Sequence, residues 1–283
     1  MQNSRRVKGK AIVITGPTAS GKSALAVETA LRLGTEVISA DSRQIYAGIP
    51  IVTAQPTVDE MNGVPHHLIG TLPLDAYYSA SMFEEQALSV ARRVIAERGV
   101  VVVCGGSMMY VDAFCRGLDE LPTVPDEIRR GLMDEHAERG DSWLLAELER
   151  LDPEYHAIVD RQNMKRVFHA VEIIRTAGRT YTSLRTGKAS QREFDIEKIV
   201  LEMPREQLFD RINRRVDRMV ADGLEEEARR VYPMRHLNSL NTVGLKEMFA
   251  YFDGTMDRTT AIERIKKNTR VFAKKQLTWL KKI

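Results

Sequence analysis

The chain has 283 residues, 43% of them apolar and 29% charged, with a formal net charge of +3. That balance is ordinary for a globular protein of one large domain, or of a core domain carrying a smaller one. No apolar run approaches the about 18 residues of a membrane span, which excludes a spanning helix.

The chain opens on MQNSRRVKGK, which is positively charged but not backed by an apolar core of signal-peptide length, because Gly16 and Pro17 cut the run short. A cytoplasmic protein without membrane association is expected. KAIVITG, residues 10–16, is a short apolar run ending at glycine, as a buried parallel strand does. GPTASGKS, residues 16–23, follows it. KSALAVETALRLG then places Leu25, Ala26, Ala30 and Leu33 on one side of a helix, with Gly34 as the stop. TEVISADS predicts a second strand ending in polar residues. AYYSASMFEEQALSVARRVIAERG predicts a long helix closed by Gly99. VVVVC is apolar throughout, so it predicts a central strand, and GGSMMYVDAFCRG turns from it into another helix. This alternation is the signature of an α/β fold with a parallel sheet.

After Gly117 the pattern becomes charged and helical, with breaks at Pro122, Pro125, Gly140, Pro153 and Gly178. EKIVLEMP returns to a strand, and helices resume to the end. The expected organisation is a catalytic core over residues 8–118 and 196–283, interrupted by a helical insertion over 119–195. No internal repeat or low-complexity segment is present. Cys104 and Cys115 sit in no CxxC or Cys/His pattern, so they are expected to be reduced thiols with no zinc site. The last twenty residues hold eight Lys or Arg and no acid, with Phe272 and Trp279 interleaved. Such a helix is either a solvated face or a surface that meets phosphate backbone.

Gly16, Pro17, Thr18, Ala19, Ser20, Gly21, Lys22 and Ser23 fit G-x-x-x-x-G-K-[ST] at every fixed position, between a strand and a helix. The glycines let backbone N–H groups converge on an anion, and the following helix points its positive end at the same spot. Lys22 adds a cation, and Ser23 offers a hydroxyl to Mg²⁺. The loop therefore grips a di- or triphosphate, which leaves nucleotide or ATP binding open. Asp41 ends the second strand on the sheet edge where α/β folds bind ligands. It is placed to hold Mg²⁺, to accept a proton, or simply to cap the next turn. The third strand ends without an acid, which argues against simple ATP hydrolysis and remains compatible with a small kinase. Gly105 and Gly106 permit close backbone approach there, and Ser107 offers a hydroxyl.

The ordered set GPTASGKS, ISADSRQIYAGIPIVTAQPT, VPHHLIG, GGSMMY, LPTVPDEIR, NMKRVFHAVEIIRTAGRT and RVDRMVADGLEEEARRVY resembles the tRNA dimethylallyltransferases. Those enzymes prenylate an adenine beside the anticodon. Enzymes that prenylate free adenylate share the first few segments, so the later ones decide. The resemblance implies a P-loop NTPase-like parallel sheet core with a helical insertion that contacts tRNA. It implies that the loop holds the diphosphate of dimethylallyl diphosphate with Mg²⁺, so that no γ-phosphate is transferred. N6 of adenine 37, in tRNAs reading codons that begin with U, would attack the allylic carbon. Asp41 would contact N6 as the base. An arginine of the later helix would bind diphosphate: Arg215 is the choice, with Arg211 or Arg218 possible. RNA contacts are implied for Asp41, Ser42, Arg43, Gln44, Ser107, Arg129, Lys165, Arg166, Val167, Phe168 and His169. His169, taken alone, reads more often as a satisfied structural histidine. The basic end would meet the anticodon stem, and a monomer is expected.

Several positions depart from the family pattern. Ala47 stands where an arginine is usual, and Val52 and Gln55 replace a glycine and a lysine. GGTGLY is here GGSMMY. A C-terminal Cys/His finger is missing, as in bacterial members. Two rivals stay open: a P-loop small-molecule kinase and a non-catalytic tRNA-binding protein.

Overall fold

The computed structural model describes residues 9–119, 121–187 and 190–281. The first eight residues, with the expected core start at Lys8, lie outside the described residues, as do Glu120 and the final Lys282 and Ile283 of the basic end. In chain order the first elements are β1 (Lys10–Thr15), α1 (Lys22–Leu33), β2 (Val37–Ser39), α2 (Pro50–Thr53), α3 (Val58–Met61) and β3 (His66–His67). Then come α4 (Ala80–Arg98), β4 (Val100–Gly105) and α5 (Met108–Arg116). The helices α6 (Asp126–Leu151), α7 (Pro153–Ile158), α8 (Met164–Ala177) and α9 (Tyr181–Leu184) follow. The chain ends with β5 (Asp195–Val200), α10 (Arg205–Ala221), α11 (Leu224–Val231), α12 (Leu245–Phe252) and α13 (Arg258–Leu280).

These elements form two compact units, Met1–Arg116 with Gln191–Ile283, and Gly117–Ser190. The seams fall earlier than the expected 118/119 and 195/196. Asp195 explains the second: it opens β5 and pairs with Lys10, while Phe194 just before it is buried in the core of the first unit.

The first unit is built on a parallel sheet in the order β3-β2-β4-β1-β5. Side chains alternate across a strand, and both faces of the central strands are buried. Ala11 and Val13 of β1 and Val101 and Val103 of β4 pack against Phe83, Ala87 and Ala91 of α4. Ile12, Ile14, Val102 and Cys104 pack on the other face against Ala26, Val27 and Ala30 of α1. The apolar runs of β1 and β4 thus follow from two-sided burial. β2 stops at Ser39, shorter than expected, because Asp41 Oδ1 accepts from Arg43 N–H (2.9 Å) and Gln44 N–H (3.3 Å) and turns the chain. Among the described residues no helix is long and apolar enough to cross a membrane.

The second unit is helical. Leu132, Leu144 and Leu148 of α6 pack with Val167, Ala170, Val171 and Ile174 of α8. Gly140 interrupts α6 with φ 79° and ψ 179°, so the expected break is a kink between two helical stretches. The fully buried Asp152 accepts from Tyr155 N–H, Thr182 N–H and Thr182 Oγ1, tying α7 to α9.

Candidate active site

Three segments of the first unit meet at the carboxyl edge of the sheet. The first is the phosphate loop. Gly21 holds φ 96° and caps the start of α1, and a Cβ there would lie 3.4 Å from a guanidinium nitrogen of Arg211. Ala19 also takes a left-handed φ of 64°, an uncommon conformation for a non-glycine residue that over-determined functional loops retain. The second segment is the turn after β2. The third follows β4, where a Cβ on Gly105 would lie 2.1 Å from the carbonyl oxygen of Ala40. Only glycine permits that approach. It brings Ser107 Oγ to accept from Ser42 N–H (2.8 Å) and to donate to Ser42 Oγ (3.1 Å).

Thr18, Lys22, Ser23, Asp41, Gln44, His66, Cys104, Arg215, Phe272 and Gln276 line one pocket. Its electrostatics favour an anion. Burial pushes the Lys22 ammonium below its ordinary range, and Arg215 adds to this, while Cys104 and Asp41 oppose it. Burial likewise lowers Arg215, against the pull of Asp41 and Glu60. Two cations are therefore held partly desolvated beside each other, and a bound anion would relieve both. Cys104 stands where a hydrolase would carry its acid. Burial pushes its thiol up to about 11, so it is neither a carboxylate substitute nor a thiolate nucleophile.

Asp41 has divided duties. Oδ1 caps the following turn, whereas no such bond engages Oδ2 among those described. Of the three arginines proposed for diphosphate, Arg215 lines the pocket, Arg211 lies over Gly21, and Arg218 is exposed and lines neither.

The other expected RNA residues divide differently. The Arg43 guanidinium donates to the carbonyls of Asn238 (2.8 Å), Ser239 (3.0 Å) and Asn241 (3.3 Å), so its charge anchors that turn instead of facing outward. Gln44 Nε2 donates to the carbonyls of Thr53 (3.2 Å) and Ala54 (2.9 Å), which fixes one wall of the pocket. In the second unit, Arg129 and His169 both bond Glu172, at 3.0 Å and 2.8 Å. His169 thus has a side-chain partner within its own unit while remaining about half exposed. Lys165 and Arg166 are exposed, and Phe168 is half-buried. Val167 has its side chain fully buried in that unit's core.

Two of the departures, Gln55 and Val52, are accommodated locally. Gln55 Nε2 donates to the carbonyls of Gln44 (2.7 Å) and Tyr46 (3.0 Å), bracing the turn that Asp41 starts. Val52 occupies the space left by Gly244, where a Cβ would lie 2.3 Å from Val52 Cγ2. Sequence reading missed Gln276. Its signal was a lone amide on the otherwise apolar inner stripe of α13, with Ala261, Ile265 and Ala273.

A family model described as IPP transferase matches residues 44–283. The chain belongs to the IPP transferase family. A relative from Bacteroides thetaiotaomicron named tRNA dimethylallyltransferase 1 is 51% identical over 96% of this chain and 88% of its own length. A tRNA dimethylallyltransferase from Cytophaga hutchinsonii is 44% identical over 96% of this chain and 89% of its own. Among solved structures, the tRNA isopentenylpyrophosphate transferase of Bacillus halodurans superposes with a TM-score of 0.70 at 36% identity, covering 97% of this chain and 87% of that one. A eukaryotic dimethylallyltransferase acting on tRNA gives 0.83 at 25% identity, over 96% and 70%. This member of the IPP transferase family thus shares the α/β core built on a five-stranded parallel sheet.

Proposed function

We propose that this protein transfers the dimethylallyl group of dimethylallyl diphosphate to N6 of adenine 37 in tRNAs reading codons that begin with U. A bond forms between N6 and the allylic carbon, the carbon–oxygen bond to diphosphate breaks, and N6 loses a proton. The observation that carries this reading is one pocket that joins a phosphate loop and two desolvated cations to the Asp41 carboxylate, with Cys104 in place of a hydrolytic acid.

The residues divide the work. The loop from Gly16 to Ser23, with Lys22 and Arg215, binds diphosphate and takes up the charge that grows as it leaves. Asp41 Oδ2 accepts the N6 proton. The fit of Mg²⁺ follows from donor chemistry: Ser23 lines the pocket, and its Oγ is a hard oxygen with two lone pairs. Among the described residues no group of three or more His, Cys, Asp or Glu forms a cage, so Ser23 would share the ion with diphosphate oxygens and water. When bound, Mg²⁺ supplies positive charge to the leaving group.

The base acted on must leave its stack to enter a pocket. We assign the anticodon stem-loop to Ser42, Ser107 and the exposed Lys165 and Arg166, with the exposed Lys274 and Lys275 of α13 meeting phosphates. The insertion is thus an RNA-contacting domain on a monomeric cytoplasmic enzyme. Incubation with labelled dimethylallyl diphosphate, Mg²⁺ and unmodified tRNA tests the reading. Label is expected at adenine 37. ATP consumption indifferent to tRNA would make the protein a kinase, and tight tRNA binding without turnover would make it a binding protein.

A further inference from the structure

Gln276 is 3% exposed on the inner face of α13. Its Oε1 accepts from Thr18 N–H at 2.8 Å, and its Nε2 donates to the carbonyl oxygen of Gly106 at 2.8 Å. One side chain thereby joins two loops that leave different strands. Thr18 belongs to the phosphate loop after β1, and Gly106 follows β4. From Gly106 the connection runs on through Ser107 to Ser42, the neighbour of Asp41. The fit is close. A Cβ on Gly106 would lie 2.6 Å from Gln276 Nε2 and 3.4 Å from Lys22 Cε. An apolar side chain of similar size would fill this space without an amide to satisfy, so packing alone does not account for glutamine here.

We propose that Gln276 is a positioning residue that fixes the spacing between the cradle of the leaving group and the Asp41 carboxylate. This rests on the function proposed above. It acts through Thr18 and Gly106 and touches no reacting atom. Gly106 is its matched partner, since any larger residue there displaces the amide.

Three variants test it. Gln276→Met removes both hydrogen bonds at similar volume. Gln276→Glu keeps an acceptor for Thr18 but cannot donate to Gly106 when ionised. Gly106→Ala displaces Nε2 from the other side. Because a misplacement of about 1 Å costs on the order of 10²-fold in rate, Gln276→Met is expected to lower kcat by about that factor. Inhibition by inorganic diphosphate and KM for tRNA should stay within the scatter of the wild type. Hydrogen exchange at the Thr18 amide should accelerate in Gln276→Met and stay slow in Gln276→Glu. The double variant Q276M/G106A should be no slower than its slower parent, because both break one link. A wild-type kcat in Gln276→Met, or unchanged Thr18 exchange, overturns the proposal. Losses of kcat, diphosphate inhibition and thermal stability in parallel overturn it too, since they would mark a packing role. A wild-type protein that transfers no label sinks the functional reading instead, and Thr18 exchange still decides this one.

Discussion

Asp41 offers two carboxylate oxygens with different employment, which makes the choice of variant decisive. Alanine removes the cap on Arg43 and Gln44 N–H along with the base. Asparagine keeps a carbonyl oxygen for the cap and loses only the proton acceptor. Asp41→Asn should therefore fold and bind tRNA as the wild type does, yet lose at least about 10²-fold in kcat, the typical worth of a general base. Single-turnover rates beside a tRNA gel shift measure both, and a near-normal rate would remove Asp41 from the chemistry. Lys22 gives the opposite kind of prediction. Its folded pKa lies below 10.5 because burial disfavours the ammonium, so between the two values the unfolded chain binds more protons. Stability then rises with pH across that window. Lys22→Met should raise the unfolding midpoint of the ligand-free protein at pH 7, and the gap from wild type should narrow as pH climbs toward 10.5. The same variant should weaken inhibition by inorganic diphosphate. Thermal scans at several pH values check the first part, and competition assays check the second. The placement of Lys22 and Asp41 at one pocket was readable in the sequence because each follows closely on a strand end, while the role of Asp41 as base came from the family resemblance. Gln276 and the inward turn of Arg43 were not readable, because the partners of Gln276 lie 258 and 170 residues away and those of Arg43 lie 195 or more away.

Among the elements, the four-residue α2, which leads into the pocket-lining Ala54, is the least self-sufficient. So short a helix has no propensity to stand on its own. It is held by the fully buried Glu227 of α11, whose carboxylate accepts from Ile51 N–H (2.9 Å) and Val52 N–H (2.8 Å). Burial pushes that carboxyl above its ordinary range, and the two amide bonds only partly offset it. Glu227→Ala strands both donors, and each buried unsatisfied group costs about 1–3 kcal/mol. Urea denaturation should show a loss of that order, and Glu227→Gln, which retains an acceptor, should lose less. An unchanged midpoint in Glu227→Ala would mean that α2 is held some other way. The same tie explains what sequence pattern could and could not reveal. β1, β4, α1 and α4 carry their own periodicity and glycine stops, so they were legible. β3 has two residues and α2 and α3 four each, too few for any periodicity to register. The distant Glu227 holds α2, pairing with β2 holds β3, and α3 is closed by its own Thr57–Glu60 capping box. The compact second unit ends before the expected insertion does, because Phe194 and Asp195 belong to the sheet unit through packing and pairing.

At the scale of the whole molecule, a net charge of +3 understates how the protein would meet RNA. Many arginines are already neutralised within their own unit. In the second unit Arg175 pairs with Glu135 and Glu147, Arg150 with Glu147, and Arg129 with Glu172. Lys165 and Arg166 are exposed and enter none of these pairs, and Lys274 and Lys275 of α13 are exposed on the first unit. If both units touch the RNA, each pair should contribute its own share of released counterions. For single strands the slope of log K against log salt is about 0.7 per phosphate neutralised, and for duplex about 0.9. The double variant Lys165→Ala with Arg166→Ala should therefore flatten the salt dependence of tRNA binding by up to about 1.8. Lys274→Ala with Lys275→Ala should do the same independently, because separate sites add. Neither double variant should alter inhibition by inorganic diphosphate, since none of the four residues lines the pocket. Filter binding of tRNA across a salt series measures the slopes. A slope that responds to the α13 pair but not to Lys165 and Arg166 would confine the RNA to the first unit and strip the insertion of its proposed role.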